Sequence, residues 1–266
     1  MMLDSPRDST DIRAPLSLVI ITMNAGAQLG AALDSARFAD EIVVVDSGSD
    51  DDTVQIAASF GATVVAQAWL GYGPQKQFAV QRARNDWVLC LDADERVSRE
   101  LADSIRSALV QPDRAAYRMS RRNRFLGRWL SHGEGYPDWS VRLFDRKRAR
   151  WSDDPVHERV ITDEPVGIVA GDLLHESAES LDDYLAKQNR YTTLQAERLH
   201  GQGRRASVVA LVFSPLVRFI KFYFVRLGFL DGAAGLVHIA IGCGNSFVKQ
   251  AKLLALERAA REAAGT

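Results

Sequence analysis

Asp92-Ala93-Asp94 follows directly on the apolar run Trp87-Val88-Leu89-Cys90-Leu91, which puts two carboxylates at the end of a strand that reads as buried. Continuous apolar runs of this length suit central parallel strands, and open α/β sheets bind ligands just beyond the carboxyl ends of such strands. Paired carboxylates at that edge can share a hard cation, Mg2+ or Mn2+, and leave coordination positions for diphosphate oxygens. The plainer reading is a solvated turn in which Asp92 or Asp94 bonds its own backbone. Taken alone, the triplet does not decide between them.

A second acid-rich loop, Asp46-Ser47-Gly48-Ser49-Asp50-Asp51-Asp52-Thr53, follows the apolar stretch Ile42 to Val45. Asp46 could hold a uracil or a ribose, although Ser, Asp and Thr before a helix also serve as ordinary caps. With Thr22-Met23-Asn24 after the first run, three strand ends would open onto one edge of one sheet. The loop Gly71-Tyr72-Gly73-Pro74-Gln75-Lys76 lacks the spacing of a nucleoside-triphosphate P-loop. It puts Lys76 in the first turn of a helix starting at Pro74, where its ammonium could neutralise a phosphate. No Gly-x-Gly-x-x-Gly follows the first strand, which argues against a dinucleotide-binding dehydrogenase. His175, at the end of the run Leu173-Leu174, could be a third metal ligand because neutral imidazole suits Mn2+ better than Mg2+; a hydrogen-bonded core histidine is the alternative.

These residues need a scaffold, and the pattern supplies an α/β one. Predicted strands at 16–21, 41–45, 62–66 and 87–91 alternate with predicted helices at 27–36 and 53–60, the latter ending at Gly61, and with the helix from Pro74. Ser98 can cap a further helix through Leu101, Ile105 and Leu109 before Pro112 stops it. From Ala115 to about Leu174 short strands and charged loops predict a mixed-sheet half, and from Leu181 the spacing of Tyr184, Gln188, Tyr191 and Leu194 is helical. The expected organisation is a flexible tail at 1–15, a catalytic domain at 16–180 with halves at 16–114 and 115–180, and a helical region at 181–266.

At 266 residues and 47% hydrophobic, the chain can bury a substantial core. Lys plus Arg total 33 against 34 Asp plus Glu, so a net charge of -1 gives no global attraction to nucleic acid. Cys90 and Cys243 form neither a metal-ligand pattern nor a disulfide framework, and a reducing cytoplasm fits them. The polar first fifteen residues match neither a secretory signal nor a transit peptide.

Read in register, the motifs at Ser17 to Asn24, Asp40 to Thr53, Gly71 to Lys76 and Asp86 to Glu95 resemble family 2 glycosyltransferases, most closely the lipopolysaccharide-core β-1,4-glucosyltransferase branch. The resemblance implies a GT-A-type, Rossmann-like sheet with flanking helices, a nucleotide-diphosphate sugar donor and an inverting, metal-dependent transfer. It implies that Thr22, Asn24 and Asp46 contact the nucleoside, that Gly48, Gly73 and Ala93 line the donor, that Lys76 lies near its phosphates, and that Asp92 and Asp94 hold donor and metal. One departure is that Ala25-Gly26 follows Asn24, where the family commonly has an acidic residue.

An inverting transfer needs a carboxylate to take the proton of the attacking hydroxyl. Asp138, in Tyr136-Pro137-Asp138-Trp139-Ser140-Val141-Arg142-Leu143, resembles the Asp-aromatic element before Arg-Leu in polyprenyl-phosphate sugar transferases; Glu158 is the second candidate. For each, the plainer reading is a surface carboxylate paired with Arg142, Arg146 or Arg159. Arg118, Arg121, Arg122, Arg124 and Arg128, interleaved with Phe125 and Trp129, could grip acceptor phosphates, or form a solvated basic face. Residues 208–230 are apolar and aromatic, yet Pro215, Arg218, Lys221 and Arg226 interrupt them short of the roughly 20 residues of a spanning helix. An interfacial helix on the inner face of the cytoplasmic membrane fits, as does a helix buried against the catalytic domain or a twofold partner. The expected enzyme moves a hexose, glucose from UDP-glucose, onto a glycolipid acceptor. Competing readings are a degenerate transferase acting as a membrane scaffold, and a haloacid-dehalogenase-like phosphatase, which fits poorly because its aspartate pair belongs at the first strand.

Overall fold

Alternation of side chains along the first strands explains why one sheet is covered on both faces. In β1 (Leu16–Thr22) and β4 (Trp87–Asp92), Leu18, Ile20, Leu89 and Leu91 turn to one face, while Val19, Val88 and Cys90 turn to the other. The first set packs with Leu29 and Leu33 of α1 (Gly26–Ser35), Ala57 of α2 (Thr53–Ser59), and Leu101 and Ile105 of α4 (Arg99–Val110). The second packs with Ala79 and Val80 of α3 (Tyr72–Arg82) and with Phe144 and Trp151. All of these side chains are buried, and each large one contributes about 1.5–3 kcal/mol.

The model is a computed structural model describing residues 13–154, 158–177 and 180–263. The strand order is β3 (Thr63–Ala66), β2 (Glu41–Asp46), β1, β4, β8 (Asp138–Asp145), β6 (Ala116–Phe125), β11 (Gly167–His175), β5 (Glu95–Val97). β2 (Glu41–Asp46), β3 (Thr63–Ala66), β1 and β4 run parallel, which is the expected α/β half. The mixed half follows: β8 (Asp138–Asp145) lies antiparallel to β4 with Leu143 opposite Leu89. β5 (Glu95–Val97) pairs antiparallel with β11 (Gly167–His175), setting His175 opposite Glu95, and β6 (Ala116–Phe125) lies between β8 and β11. β9 (Arg150–Trp151) and β10 (Val160–Ile161) form a separate ribbon.

Helix ends show where sequence rules hold and where they slip. Ser98 Oγ accepts from Leu101 N at 3.2 Å, as a cap should, and Gly61 takes φ +74° beyond α2. α3 starts earlier than Pro74, because the Gly71 carbonyl accepts from Gln75 N at 2.9 Å. Pro74 therefore sits inside the first turn and Lys76 in the second. Arg13 and Ala14, expected within a flexible tail at 1–15, are held in place: Arg13 pairs with Asp40 at 2.8 Å, and Ala14 N donates to Leu109 O at 2.8 Å. Residues 1–12 lie outside the described residues.

Contacts divide the chain into two units, one running up to Arg121 and including Trp139–His175, the other combining Arg122–Asp138 with the described residues from Glu176 onward. Within the second, α5 (Leu181–Gly201), α6 (Val208–Phe219) and α7 (Gly232–Ala263) form the helical region, with a π-helical stretch Ile220–Val225 and a short turn Gly228–Asp231 between α6 and α7. Asp231, 2% exposed, accepts from Ser131 N at 2.9 Å and His132 N at 2.8 Å, and Glu134 pairs with Arg218. The segment that includes β7 (Arg128–Trp129) thus belongs with helices that follow it by 84 to 100 residues, a grouping with no local signature.

Gly171 tests how tightly α4 is seated on β11. Its φ is +92°, and an added Cβ would fall 2.3 Å from Leu101 N. Gly171→Ala is expected to cost about 2 kcal/mol or more in urea unfolding, whereas Gly61→Ala, with a left-handed φ but open space around it, costs about 1 kcal/mol.

Candidate active site

Asp92, the last residue of β4, is held by two cations. Lys76 Nζ approaches its Oδ1 at 2.8 Å and Arg142 Nη2 donates to its Oδ2 at 2.7 Å. Arg142 also donates to Glu95 Oε1 at 2.7 Å, and Arg121 reaches the same oxygen at 3.5 Å. Glu95, with no exposed side chain, closes the circuit by accepting from Asp92 N at 3.0 Å. Lys76 bridges onward to Glu158 Oε1 at 2.8 Å. Trp151 lies against both cations, 4.9 Å from Lys76 Nζ and 5.7 Å from Arg142 Cζ to its ring centroid, and donates to Cys90 Sγ at 3.4 Å. Burial alone would raise the Asp92 pKa, but Arg142 and Lys76 outweigh it and hold the carboxyl far below the ordinary range; burial likewise opposes the Arg142 charge, and Asp92 and Glu95 restore it. Burial pushes the Cys90 thiol up to about 12, which leaves it an inert core group.

At the neighbouring strand ends the structure brings Thr22, Asn24, Asp46 and Gly48 together. Asp46 Oδ1 accepts from Thr22 Oγ1 at 2.9 Å and Ser49 Oγ at 2.5 Å; its Oδ2 accepts from Gly48 N at 3.0 Å and Ser49 N at 2.8 Å. Burial opposes the charge, and these donors more than offset it, lowering the pKa from 3.8. Asn24, at φ +51°, donates from its backbone to Ser49 Oγ at 2.8 Å and accepts from Asp50 N at 3.0 Å. Ala25-Gly26 supplies no cap of its own to α1, so Asp51 does: its carboxylate accepts from Gly26 N at 2.9 Å and from Thr53 N at 3.0 Å. Gly73 is required by packing, since a Cβ there would meet Ser152 O at 2.2 Å. Gln75, fully buried, links the loops by donating to Ser47 Oγ at 3.0 Å.

Asp94 and Ala93 make the turn between β4 and β5, and Asp94 Oδ2 lies 3.2 Å from His175 Nε2. The three expected metal ligands do not form one cluster: Asp92 is turned to Lys76 and Arg142, and no group of three or more His, Cys, Asp or Glu side chains is arranged around a common point among the described residues. The donor set still suits a divalent cation bound together with a ligand. Asp94 and His175 face each other as two ligand-type groups, and the four carboxylates Asp92, Asp94, Glu95 and Glu158 exceed the three cations Lys76, Arg121 and Arg142 by one charge. A bound dication would reverse that sign, as a diphosphate requires.

Glu158 falls within this network, whereas Asp138 opens β8 and belongs to the second unit. The expected basic face is largely consumed internally: Arg118 stacks on Trp139 at 4.8 Å, Arg121 pairs with Glu95, Arg122 donates to Leu130 O at 3.2 Å, Arg124 pairs with Glu176, and Arg128 donates to Leu230 O at 3.0 Å. Arg142, expected only as a surface partner of a carboxylate, is central to the network, and Glu95, Gln75 and Trp151 join it without having been expected to. The available signal for Arg142 was a lone charge inside the alternation Ser140-Val141-Arg142-Leu143-Phe144.

Arg142→Met would leave Glu95 and Asp92 without their common cation. It is expected to cost about 3 kcal/mol in chemical unfolding, the scale of a buried pair broken from one side. Asp46 carries an acid-dependent share of stability: because its folded pKa is depressed, that share is fully present above 3.8 and is lost as pH falls through the lower, folded value. The stability gap between wild type and Asp46→Asn should therefore be widest near neutrality and close in strong acid, and a gap that stays constant with pH would contradict this account.

Comparison with known proteins places this edge in a family. The family described as Glycosyl transferase family 2 matches residues 17–162. The lipopolysaccharide core biosynthesis glycosyltransferase LpsC of Rhizobium meliloti is 30% identical over 91% of this chain and 92% of its own. An uncharacterized glycosyltransferase of Rickettsia typhi is 33% identical over 92% and 89% respectively. Among solved structures, residues 1–349 of S. aureus TarS in complex with UDP-GlcNAc align over 92% of each chain at 14% identity and a TM-score of 0.48. The matched span contains the strand-end loops, Lys76, Asp92, Asp94 and Arg142, which sets aside the phosphatase reading: the chain belongs to glycosyltransferase family 2.

Proposed function

We propose that this protein transfers a hexose with inversion from a nucleotide-diphosphate sugar, UDP-glucose, to a hydroxyl of a lipopolysaccharide-core or other lipid-linked sugar at the inner face of the cytoplasmic membrane. The observation that carries the reading is the charged lattice of Lys76, Asp92, Arg142 and Glu95 at the carboxyl edge of the parallel strands, beside the facing Asp94 and His175. The similarity to LpsC supports the choice of acceptor class.

In this reading the loops of Thr22, Asn24, Asp46 and Gly48 form the nucleoside seat, pre-ordered by the four donors on Asp46. Lys76, shared between Asp92 and Glu158, exchanges one carboxylate for a donor phosphate. Arg142 and Glu95 keep Asp92 in place during that exchange. Asp94 and His175, with Asp92 beside them, would hold Mg2+ or Mn2+, whose charge would stabilise the departing diphosphate. Asp138 accepts the proton of the acceptor hydroxyl as the bond from sugar to phosphate breaks; Glu158, committed to Lys76, is the weaker candidate.

Calorimetry and turnover together test this. Wild-type protein should bind UDP in the presence of Mn2+, and Asp94→Asn should weaken that binding at least tenfold. Asp138→Asn should leave it unchanged while lowering kcat by about 10²–10⁴-fold with UDP-glucose and extracted glycolipid, read by mass spectrometry. Absence of UDP binding would favour the non-catalytic scaffold, and full turnover in Asp138→Asn would move the base to another carboxylate.

A further inference from the structure

Within the second unit, α6 and the π-helical stretch after it present a continuous apolar stripe that no described residue buries. Val208, Val209, Val212, Phe213, Leu216, Val217, Ile220 and Phe224 recur at helical spacing, each between 47% and 74% exposed. The 18 residues Val208–Val225 have none of their number buried. A stripe of this size is far beyond the scattered apolar residues of an ordinary soluble surface.

Charge identifies the occupant. From Gly201 to Leu230 the sequence has Arg204, Arg205, Arg218, Lys221 and Arg226 and no Asp or Glu, in a chain whose net charge is -1. Arg204, Lys221 and Arg226 are exposed. An apolar stripe whose own segment carries exposed cations and no acid is complementary to acyl chains beneath anionic headgroups. A second copy of the same face would set these cations against one another.

The geometry also says how the segment lies. Eighteen residues extend about 27 Å, short of the roughly 30 Å hydrocarbon core. Arg218, in the middle, is paired with Glu134 and donates to Ser246 Oγ of α7 at 3.3 Å, so the opposite face of the helix is packed on protein. Pro215 further interrupts the backbone ladder. A spanning helix would have to carry that ion pair through hydrocarbon, whereas an in-plane helix leaves it intact.

We infer that α6 and the following π-helical stretch form an in-plane anchor that inserts its Val and Phe stripe into one leaflet of an anionic bilayer. The inference deepens the lipid-linked acceptor reading and rests on it only for its biological purpose. Its test uses neither sugar nor nucleotide, so it can fail or succeed independently. Full-length protein should co-sediment with vesicles of phosphatidylcholine and phosphatidylglycerol, and at least tenfold less with phosphatidylcholine alone. Val212→Asp combined with Val217→Asp should reduce binding to the mixed vesicles at least tenfold; Arg204→Glu combined with Lys221→Glu should lower it about tenfold and weaken its salt dependence. Phe224→Ser gives a milder, uncharged check, and unchanged unfolding curves establish that these exposed substitutions leave the fold intact. Binding that none of the substitutions alters would overturn the inference. So would a stable dimer in light scattering that burial of this face explains and that ignores vesicles.

Discussion

A carboxylate at the end of a buried strand cannot stay charged and fixed unless cations meet it, and the arrangement of the first unit follows from that constraint on Asp92. Lys76 comes from α3 on one side of the sheet, and Arg142 comes from β8, antiparallel to β4. Glu95, just past the turn, pins Arg142 and the Asp92 backbone together. Trp151 supplies an aromatic wall to both cations, so each charge in this poorly solvated place has a direct partner.

The same network explains why the site is assembled from distant segments. Lys76 and Glu158 are 82 residues apart, and Arg142 reaches back 50 residues to Asp92. Each segment also has a packing role: Phe144 and Trp151 complete the core face that Val88 and Cys90 begin. The charged network and the core packing therefore share the same strands.

What could be read beforehand is what local periodicity encodes. The four parallel strands, the Ser98 cap and the Gly61 terminus all rest on side-chain alternation or on single-residue conformational preferences, and these survive folding unchanged. The acid pair and its strand were legible for the same reason. Arg142, Glu95 and Trp151 have roles set by partners 47 to 61 residues away, which no local pattern names, even where a lone charge in an apolar alternation marks the position as at Arg142. Lys76 lies one turn later than the sequence suggests, since Pro74 is tolerated anywhere in the first turn of a helix, and residues 122–138 part from their sequence neighbours because their hydrogen bonds lead to Asp231 and Arg218.

Asp51 has a wider effect than its two hydrogen bonds suggest. By capping α1 from the loop after β2, it ties together two connections that belong to different βα units, and Ser49 with Asn24 repeats the tie a few ångströms away. Loops so stitched cannot change length one at a time. An insertion tolerated by either alone would unpick its neighbour, so variation at this edge is easiest through side chains exchanged in place.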